Sequence, residues 1–129
     1  MARHHARKRF GQHFLNDSAI IADIIAAIDP RPGETLVEIG PGPGALTVPL
    51  STIATELHAI ELDRDLLAGL RHQFADSDSV ILHEADALKF DFSTIGDRLR
   101  IVGNLPYNIS TPLLFHVLEQ RDVIVDMHF

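Results

Sequence analysis

A glycine-rich segment follows a short apolar run in the first third of the chain. The run covers residues 35–39, and Gly40-Pro41-Gly42-Pro43-Gly44 comes directly after it. Glycines between a strand and a helix let the backbone approach a ligand closely and adopt positive φ. The N-terminus of the helix that follows would add free N–H groups and a partial positive charge. The spacing is G-x-G-x-G, whereas dinucleotide-binding enzymes use G-x-G-x-x-G. We therefore predict a ligand-binding loop, with a purely structural turn as the alternative.

Two acids stand at the ends of the next two apolar runs. Glu61 ends the second run, 17 residues after Gly44. A carboxylate in this place can accept two hydrogen bonds from the diol of a ribose. Asp86 follows the third run in the same relative position and could accept a hydrogen bond from the amino group of an adenine. The alternative for both is a solvated acid at a strand end, because other acids lie nearby in the sequence.

The fourth apolar run leads into Gly103-Asn104-Leu105-Pro106-Tyr107-Asn108, which contains the only tyrosine of the chain. The side-chain amide oxygen of Asn104 and the backbone carbonyl of Leu105 can both accept hydrogen bonds from an exocyclic amine. The ring of Tyr107 offers a flat face on which a base could stack. These residue types predict a site for a nucleobase amine, with a rigid turn and a packed tyrosine as the alternative.

The elements that must position these residues alternate along the chain. Residues 35–39, 57–62, 80–83, 99–102 and 123–129 are predicted strands, and residues 20–28 (capped by Asn16 or Asp17), 45–53, 66–74 and 111–119 are predicted helices. This order predicts an α/β fold with a parallel sheet covered on both faces. Such sheets bind ligands beyond the carboxyl ends of their strands. Pro49 should kink or shorten the second helix. Because the chain ends on an apolar strand, we expect it to be the N-terminal part of a longer protein.

Composition narrows the class of protein. With 129 residues, 46% of them hydrophobic, the chain can form one globular domain. It has no cysteine, which excludes disulfides and thiol chemistry. The sequence shows no signal peptide and no apolar run of about 18 residues, so we expect a cytoplasmic protein without a membrane segment. The eight histidines lack metal-ligand spacing, so we expect no metal.

Charge is distributed unevenly along the chain. The first 16 residues carry four basic residues and no acid, so the remainder has a net charge of −11 against −7 for the whole chain. A basic arm on an acidic body suggests that the arm meets a polyanion. The alternative is an ordinary solvated terminus.

In this order, the motifs resemble those of the ribosomal RNA adenine dimethyltransferase family. The resemblance spans residues 7–129 and includes a segment similar to the family's N-terminal cofactor motif, residues 8–17. It implies a Rossmann-like class I methyltransferase fold with a doubly wound, mostly parallel sheet, truncated after the fifth strand. It divides the chain into a basic arm with the cofactor motif, 1–16, and the first part of the methyltransferase domain, 17–129. The family's later strands and helical RNA-binding domain would be absent.

The resemblance also implies a reaction. It is the transfer of methyl groups from S-adenosylmethionine to N6 of two adjacent adenosines, in a hairpin loop near the 3′ end of small-subunit ribosomal RNA. The enzyme would act during ribosome biogenesis as a cytoplasmic monomer without metal. By resemblance, the cofactor-binding residues would be His13, Leu15, Gly40, Gly42, Glu61, Asp86 and Asn104, the catalytic residues Asn104, Leu105 and Tyr107, and the RNA-binding residues Arg7, Lys8 and Arg9. His13 and Pro43 replace a frequent Asn and a frequent Leu of the family, respectively.

Three other functions remain open at this stage. A large-subunit adenine dimethyltransferase of the antibiotic-resistance type shares most motifs, although Asn108-Ile109-Ser110 after Tyr107 favours the small-subunit branch. A nicotinamide-dependent oxidoreductase would share the fold, but it gives Asn104 no role. An RNA-binding assembly factor without turnover is the non-enzymatic alternative.

Overall fold

The computed structural model describes residues 17–129, except for the side chain of Tyr107. No helix within these residues is long and apolar enough to cross a membrane. In this part of the chain, five strands alternate with four helices: β1 (Thr35–Ile39), β2 (Glu56–Glu61), β3 (Val80–Glu84), β4 (Leu99–Val102) and β5 (Ile124–His128), with α1 (Ser18–Ile28), α2 (Thr47–Ile53), α3 (Arg64–Gln73) and α4 (Tyr107–Glu119). Short 3-10 turns lie at Ala87–Lys89, Phe92–Thr94 and Arg121–Val123.

All five strands pair in parallel in one sheet, in the order β3-β2-β1-β4-β5. The chain runs from β1 outward to β3 and then returns to place β4 on the other side of β1. The strand order therefore reverses between β1 and β4, which is where sheets of this kind bind ligands. The predicted α/β fold with a parallel sheet is confirmed.

Apolar side chains cover both faces of the sheet. On one face, Leu113 and Val117 of α4 pack with Phe92 against β1 and β4, and all three are fully buried. On the other face, α1 and α2 contribute Ile28 and Leu50 to a second buried cluster. Strands buried on both faces explain why the sequence shows continuous apolar runs instead of strict alternation.

Arg100 of β4 is one of the charged residues buried in the sheet. Its side chain is 10% exposed, and its Nε donates to Asp126 of β5 at 3.0 Å while Nη1 donates to Glu34 at 2.9 Å. Nη2 donates to the carbonyl of Ile28 at the end of α1. The hydrogen bond to Asp126 raises the pKa of Arg100 above its ordinary value. Burial would raise the pKa of Asp126, but hydrogen bonds from Arg100 and His128 outweigh that effect and lower it.

All four helices begin at other residues than predicted, and two of these helices contain a proline. Helix α2 begins at Thr47 instead of residue 45, and Pro49 lies in its first turn, where an N–H has no helical partner to lose. The predicted shortening is confirmed. Helix α4 begins at Tyr107 instead of residue 111, with Pro112 in its interior. Ser110 N already donates to Pro106 O at 3.0 Å, so the helix forms before the chain reaches Pro112.

Candidate functional site

A cavity of about 360 Å³ opens at the carboxyl ends of β1, β2, β3 and β4. Its volume falls in the range of small-molecule sites, about 300–1,000 Å³. The loops after β1 and β4, the two strands between which the strand order reverses, both form part of the cavity wall. The lining residues are Ile39, Gly40, Ile60, Glu61, Leu62, Ala85, Asp86, Ala87, Leu88, Asn104, Leu105, Pro106, Asn108 and Ile109.

Glycines allow the loops after β1 and β4 to touch. Gly40 has φ +64°, and a Cβ there would lie 3.0 Å from Leu105 Cδ2. A Cβ on Gly103 would lie 2.9 Å from the backbone oxygen of Ile39, which cannot move aside as a side chain can. The close approach of the two loops therefore requires glycine at position 103, and left-handed backbone favours it at position 40.

Glu61 connects β2 to the glycine loop. Its side chain is 7% exposed, Oε1 accepts from Gly42 N at 3.1 Å, and Oε2 accepts from Asp63 N at 3.0 Å. Each carboxylate oxygen can accept two hydrogen bonds, so each retains capacity for one more. Because Glu61 also lines the cavity, the carboxylate can receive two donors from a ligand, as the diol of a ribose would supply.

Glu38 lies beneath the glycine loop and is 2% exposed. Its Oε1 accepts from the hydroxyl of Thr47, the first residue of α2, at 2.6 Å. Burial raises the pKa of the Glu38 carboxyl to about 7, and the negative charge of Glu61 adds to the rise, whereas the Thr47 hydrogen bond opposes it. The carboxyl group that binds the first residue of α2 can therefore remain protonated near neutral pH.

Asp86, in the loop after β3, also lines the cavity. Its carboxylate accepts from Leu88 N at 3.0 Å and caps the 3-10 turn Ala87–Lys89. The side chain is half-buried and forms part of the cavity wall. A capping carboxylate retains free acceptor sites, so the structural and ligand-binding roles of Asp86 are compatible.

Asn104 borders two cavities. It lines the first cavity with Leu105, and it also lines a second cavity of about 370 Å³ together with Gly103 and His128. Asn104 therefore lies at the boundary between the two cavities.

The structure brings five of the twelve predicted site residues together. Gly40, Glu61, Asp86, Asn104 and Leu105 line the first cavity. Gly42 is not among its lining residues; its N–H instead donates to Glu61. Tyr107 opens α4, and its side chain lies outside the described part of the structure, as do Arg7, Lys8, Arg9, His13 and Leu15.

Sequence reasoning missed the apolar part of the wall. Leu62 follows Glu61 and is 64% exposed, and Leu88 lies two residues after Asp86. Ile109, in the first turn of α4, is also exposed. An apolar residue next to a predicted ligand acid was the available signal. These side chains offer apolar contact to a flat ring, while the carboxylates offer acceptors to its polar edge.

A family model and several curated relatives match nearly the whole chain. The Ribosomal RNA adenine dimethylase family model matches residues 3–129. The protein named Ribosomal RNA small subunit methyltransferase A from Dechloromonas aromatica (strain RCB) is 60% identical over 129 residues, covering 100% of this chain and 50% of the relative. The chain thus spans about half the length of the curated relatives that it matches.

Two solved structures share the fold. The 23S rRNA methyltransferase ErmE superposes with a TM-score of 0.75 at 29% identity, covering 84% of this chain and 43% of ErmE. A dimethyladenosine transferase from Plasmodium falciparum gives a TM-score of 0.72 at 28% identity, covering 87% and 42% of the two chains. The order of strands, the glycine loop and the match over residues 3–129 lead to one assignment. This chain belongs to the ribosomal RNA adenine dimethylase family.

Proposed function

We propose that this protein transfers methyl groups from S-adenosylmethionine to N6 of two adjacent adenosines in small-subunit ribosomal RNA. One observation carries the proposal: Asn104 and Leu105 share a cavity with Gly40, Glu61 and Asp86. Acceptors for an amine therefore lie beside residues suited to a nucleoside. The small-subunit substrate is supported by the names of relatives that are about 60% identical to this chain.

The cavity residues fit the cofactor on physical grounds. Glu61 has spare acceptor capacity on both oxygens for ribose hydroxyls, and Asp86 has it for the adenine amino group. Left-handed glycines at positions 40 and 42 bring the backbone close to the ligand. When bound, S-adenosylmethionine supplies a methyl group on a positively charged sulfur, which is a good leaving group. His13 and Leu15 would complete the cofactor site.

Asn104 and Leu105 orient the target amine. The lone pair of an adenine N6 is delocalised into the ring and is a poor nucleophile. The Asn104 amide oxygen and the Leu105 carbonyl can each accept one N6 hydrogen, which favours a tetrahedral nitrogen with its lone pair directed at the methyl group. This is catalysis by orientation and preorganised dipoles. The nitrogen would become cationic on accepting the methyl group and would then lose a proton to solvent, so no strong base is needed. Tyr107 would stack on the base, which must leave its RNA stack to enter the site.

The basic arm and the cellular setting complete the proposal. Arg7, Lys8 and Arg9 would contact RNA phosphates, because they concentrate positive charge on a chain of net charge −7. The protein would act as a cytoplasmic monomer on the immature small ribosomal subunit.

Methyl transfer to isolated ribosomal particles tests the proposal. Full-length protein is incubated with labelled S-adenosylmethionine and immature small subunits, and the modified nucleosides are identified by mass spectrometry. We expect dimethyladenosine at two adjacent positions near the 3′ end of the RNA. Large subunits, offered in parallel, should remain unlabelled. Label in the large subunit alone would support the antibiotic-resistance type instead, and RNA binding without label would support an assembly factor.

A further inference from the structure

Gln120, just after α4, holds the backbone of the segment that leads away from Asp86. Its side-chain Nε2 donates to the carbonyl of Phe90 at 2.8 Å, and its Oε1 accepts from the N–H of Phe92 at 2.7 Å. One amide thus satisfies both a donor and an acceptor of the same segment, as a neighbouring β-strand would. This two-point contact fixes the position of residues 90–92 relative to α4.

His116, one turn earlier on α4, lies beside the same carbonyl. Its Nε2 lies 2.7 Å from Phe90 O and 2.9 Å from Gln120 Nε2, and according to the tautomer it donates to the carbonyl or accepts from the amide. The His116 ring also packs against the Phe92 ring, with 5.8 Å between the centroids. Phe92 itself is fully buried. The segment is therefore anchored to α4 by backbone hydrogen bonds and by aromatic packing together.

The anchored segment continues into the cavity wall. Phe90 N donates to Ala87 O at 3.4 Å, and Lys89 N donates to Asp86 O at 3.0 Å. Asp86 and Ala87 both line the cavity, so a continuous series of hydrogen bonds runs from Gln120 to that wall. Among residues 17–129, the side-chain hydrogen bonds of Gln120 go to Phe90, Phe92 and His116, which do not line the cavity.

The other end of α4 belongs to the opposite wall. Asn108 and Ile109, in its first turn, line the cavity next to Asn104. Leu113 and Val117 are fully buried against the sheet and hold the helix there independently of Gln120. The position of α4 is therefore set by its packing against the sheet, and the position of residues 90–92 is set by their hydrogen bonds to Gln120.

We infer that Gln120, assisted by His116, is a positioning residue for the cofactor cavity. It fixes the distance between the side of the cavity formed by Asp86 and Ala87 and the side formed by Asn104 and Leu105. The inference rests on the proposed function, which assigns Asp86 to the adenine. Loss of the contact should loosen residues 86–92 and leave Asn104 in place. The effect should therefore appear in the binding of S-adenosylmethionine and not in the chemical step at saturation.

The test compares KM for S-adenosylmethionine with kcat in full-length protein. Gln120→Met keeps the length of the side chain but removes both hydrogen bonds; we expect KM to rise about tenfold, the effect of roughly one lost hydrogen bond, with kcat within about twofold of wild type. His116→Phe keeps the ring against Phe92 and should raise KM only about two- to threefold, because Gln120 still holds Phe90. Glu119→Met, at an exposed neighbouring position, is the matched control and should change neither constant.

The outcomes separate the inference from the proposed function. An unchanged KM in Gln120→Met would overturn the inference. If kcat also falls in proportion to the loss of folded protein, Gln120 has a purely structural role. If Gln120→Met does not fold, His116→Phe decides alone, and an unchanged KM overturns the inference. If wild-type protein neither binds nor uses S-adenosylmethionine, the proposed function is wrong and the inference falls with it.

Discussion

The buried carboxyl of Glu38 should make the stability of the protein depend on pH in an unusual direction. Its pKa is raised from 4.5 to about 7 in the folded state, chiefly because the group is buried. As the pH rises above 4.5, the unfolded chain releases this proton first, and the folded state retains it until about pH 7. The folded state then binds more protons, so this group lowers the free energy of unfolding as the pH rises.

The magnitude follows from the two pKa values. A difference of one pKa unit corresponds to about 1.4 kcal/mol, so the Glu38 carboxyl should cost about 3 kcal/mol of stability above pH 7. Below pH 4.5 the carboxyl is neutral in both states and the cost disappears. Glu38→Gln is neutral at every pH and keeps an oxygen that can accept from the Thr47 hydroxyl. Its stability relative to wild type should therefore increase as the pH rises.

Urea unfolding of wild type and Glu38→Gln at about pH 5 and about pH 8 measures this effect. We expect the difference in unfolding free energy to change by about 2–3 kcal/mol in favour of the variant at the higher pH. Titrating groups that do not interact with Glu38 contribute equally to both proteins and cancel in the difference. Glu119→Gln, at an exposed glutamate, is the control and should show no such change. A difference for Glu38→Gln that is independent of pH would refute the argument.

Three further changes test other parts of the structure. Glu61→Ala removes an acceptor pair from the cavity and should weaken S-adenosylmethionine binding about 10- to 150-fold by calorimetry, whereas unchanged affinity would contradict the ribose assignment. Arg100→Met leaves Asp126 without its cation and should lower the free energy of unfolding by about 3 kcal/mol, the lower end of the range for buried pairs because Asp126 is partly exposed. Neutralising Lys8 and Arg9 together should reduce the salt dependence of RNA binding by up to about two units of slope, and an unchanged slope would argue against phosphate contacts.

The sequence predicts the strands well because each is an apolar run with abrupt polar or glycine boundaries. The predicted bounds 35–39 and 99–102 coincide with β1 and β4. The motif residues Gly40, Asp86 and Asn104 lie in the loops after β1, β3 and β4. Because the strands are parallel, these loops meet at one edge of the sheet. That is why a correct fold class was sufficient to predict much of the cavity wall.

Contacts between distant residues could not be predicted in this way. Arg100 reads as an interruption of an apolar strand, and only the neighbouring strand and α1 show what balances its charge. Gln120 follows a helical segment and gives no sign of the backbone groups of residues 90–92 that it binds. The predicted start of α4 lies four residues too late, because the residues ahead of Pro112 already form a helical turn.

The rate of methyl transfer by Asn104→Ala tests the central claim most directly. Single-turnover transfer from labelled S-adenosylmethionine to immature small subunits is measured for the full-length wild type and the variant, with both reactants saturating. If the Asn104 oxygen orients the target amine, its removal should slow the chemical step about 10²- to 10³-fold, the effect of losing one preorganised polar contact. Transfer at the wild-type rate would contradict the assignment of catalysis to the loop after β4.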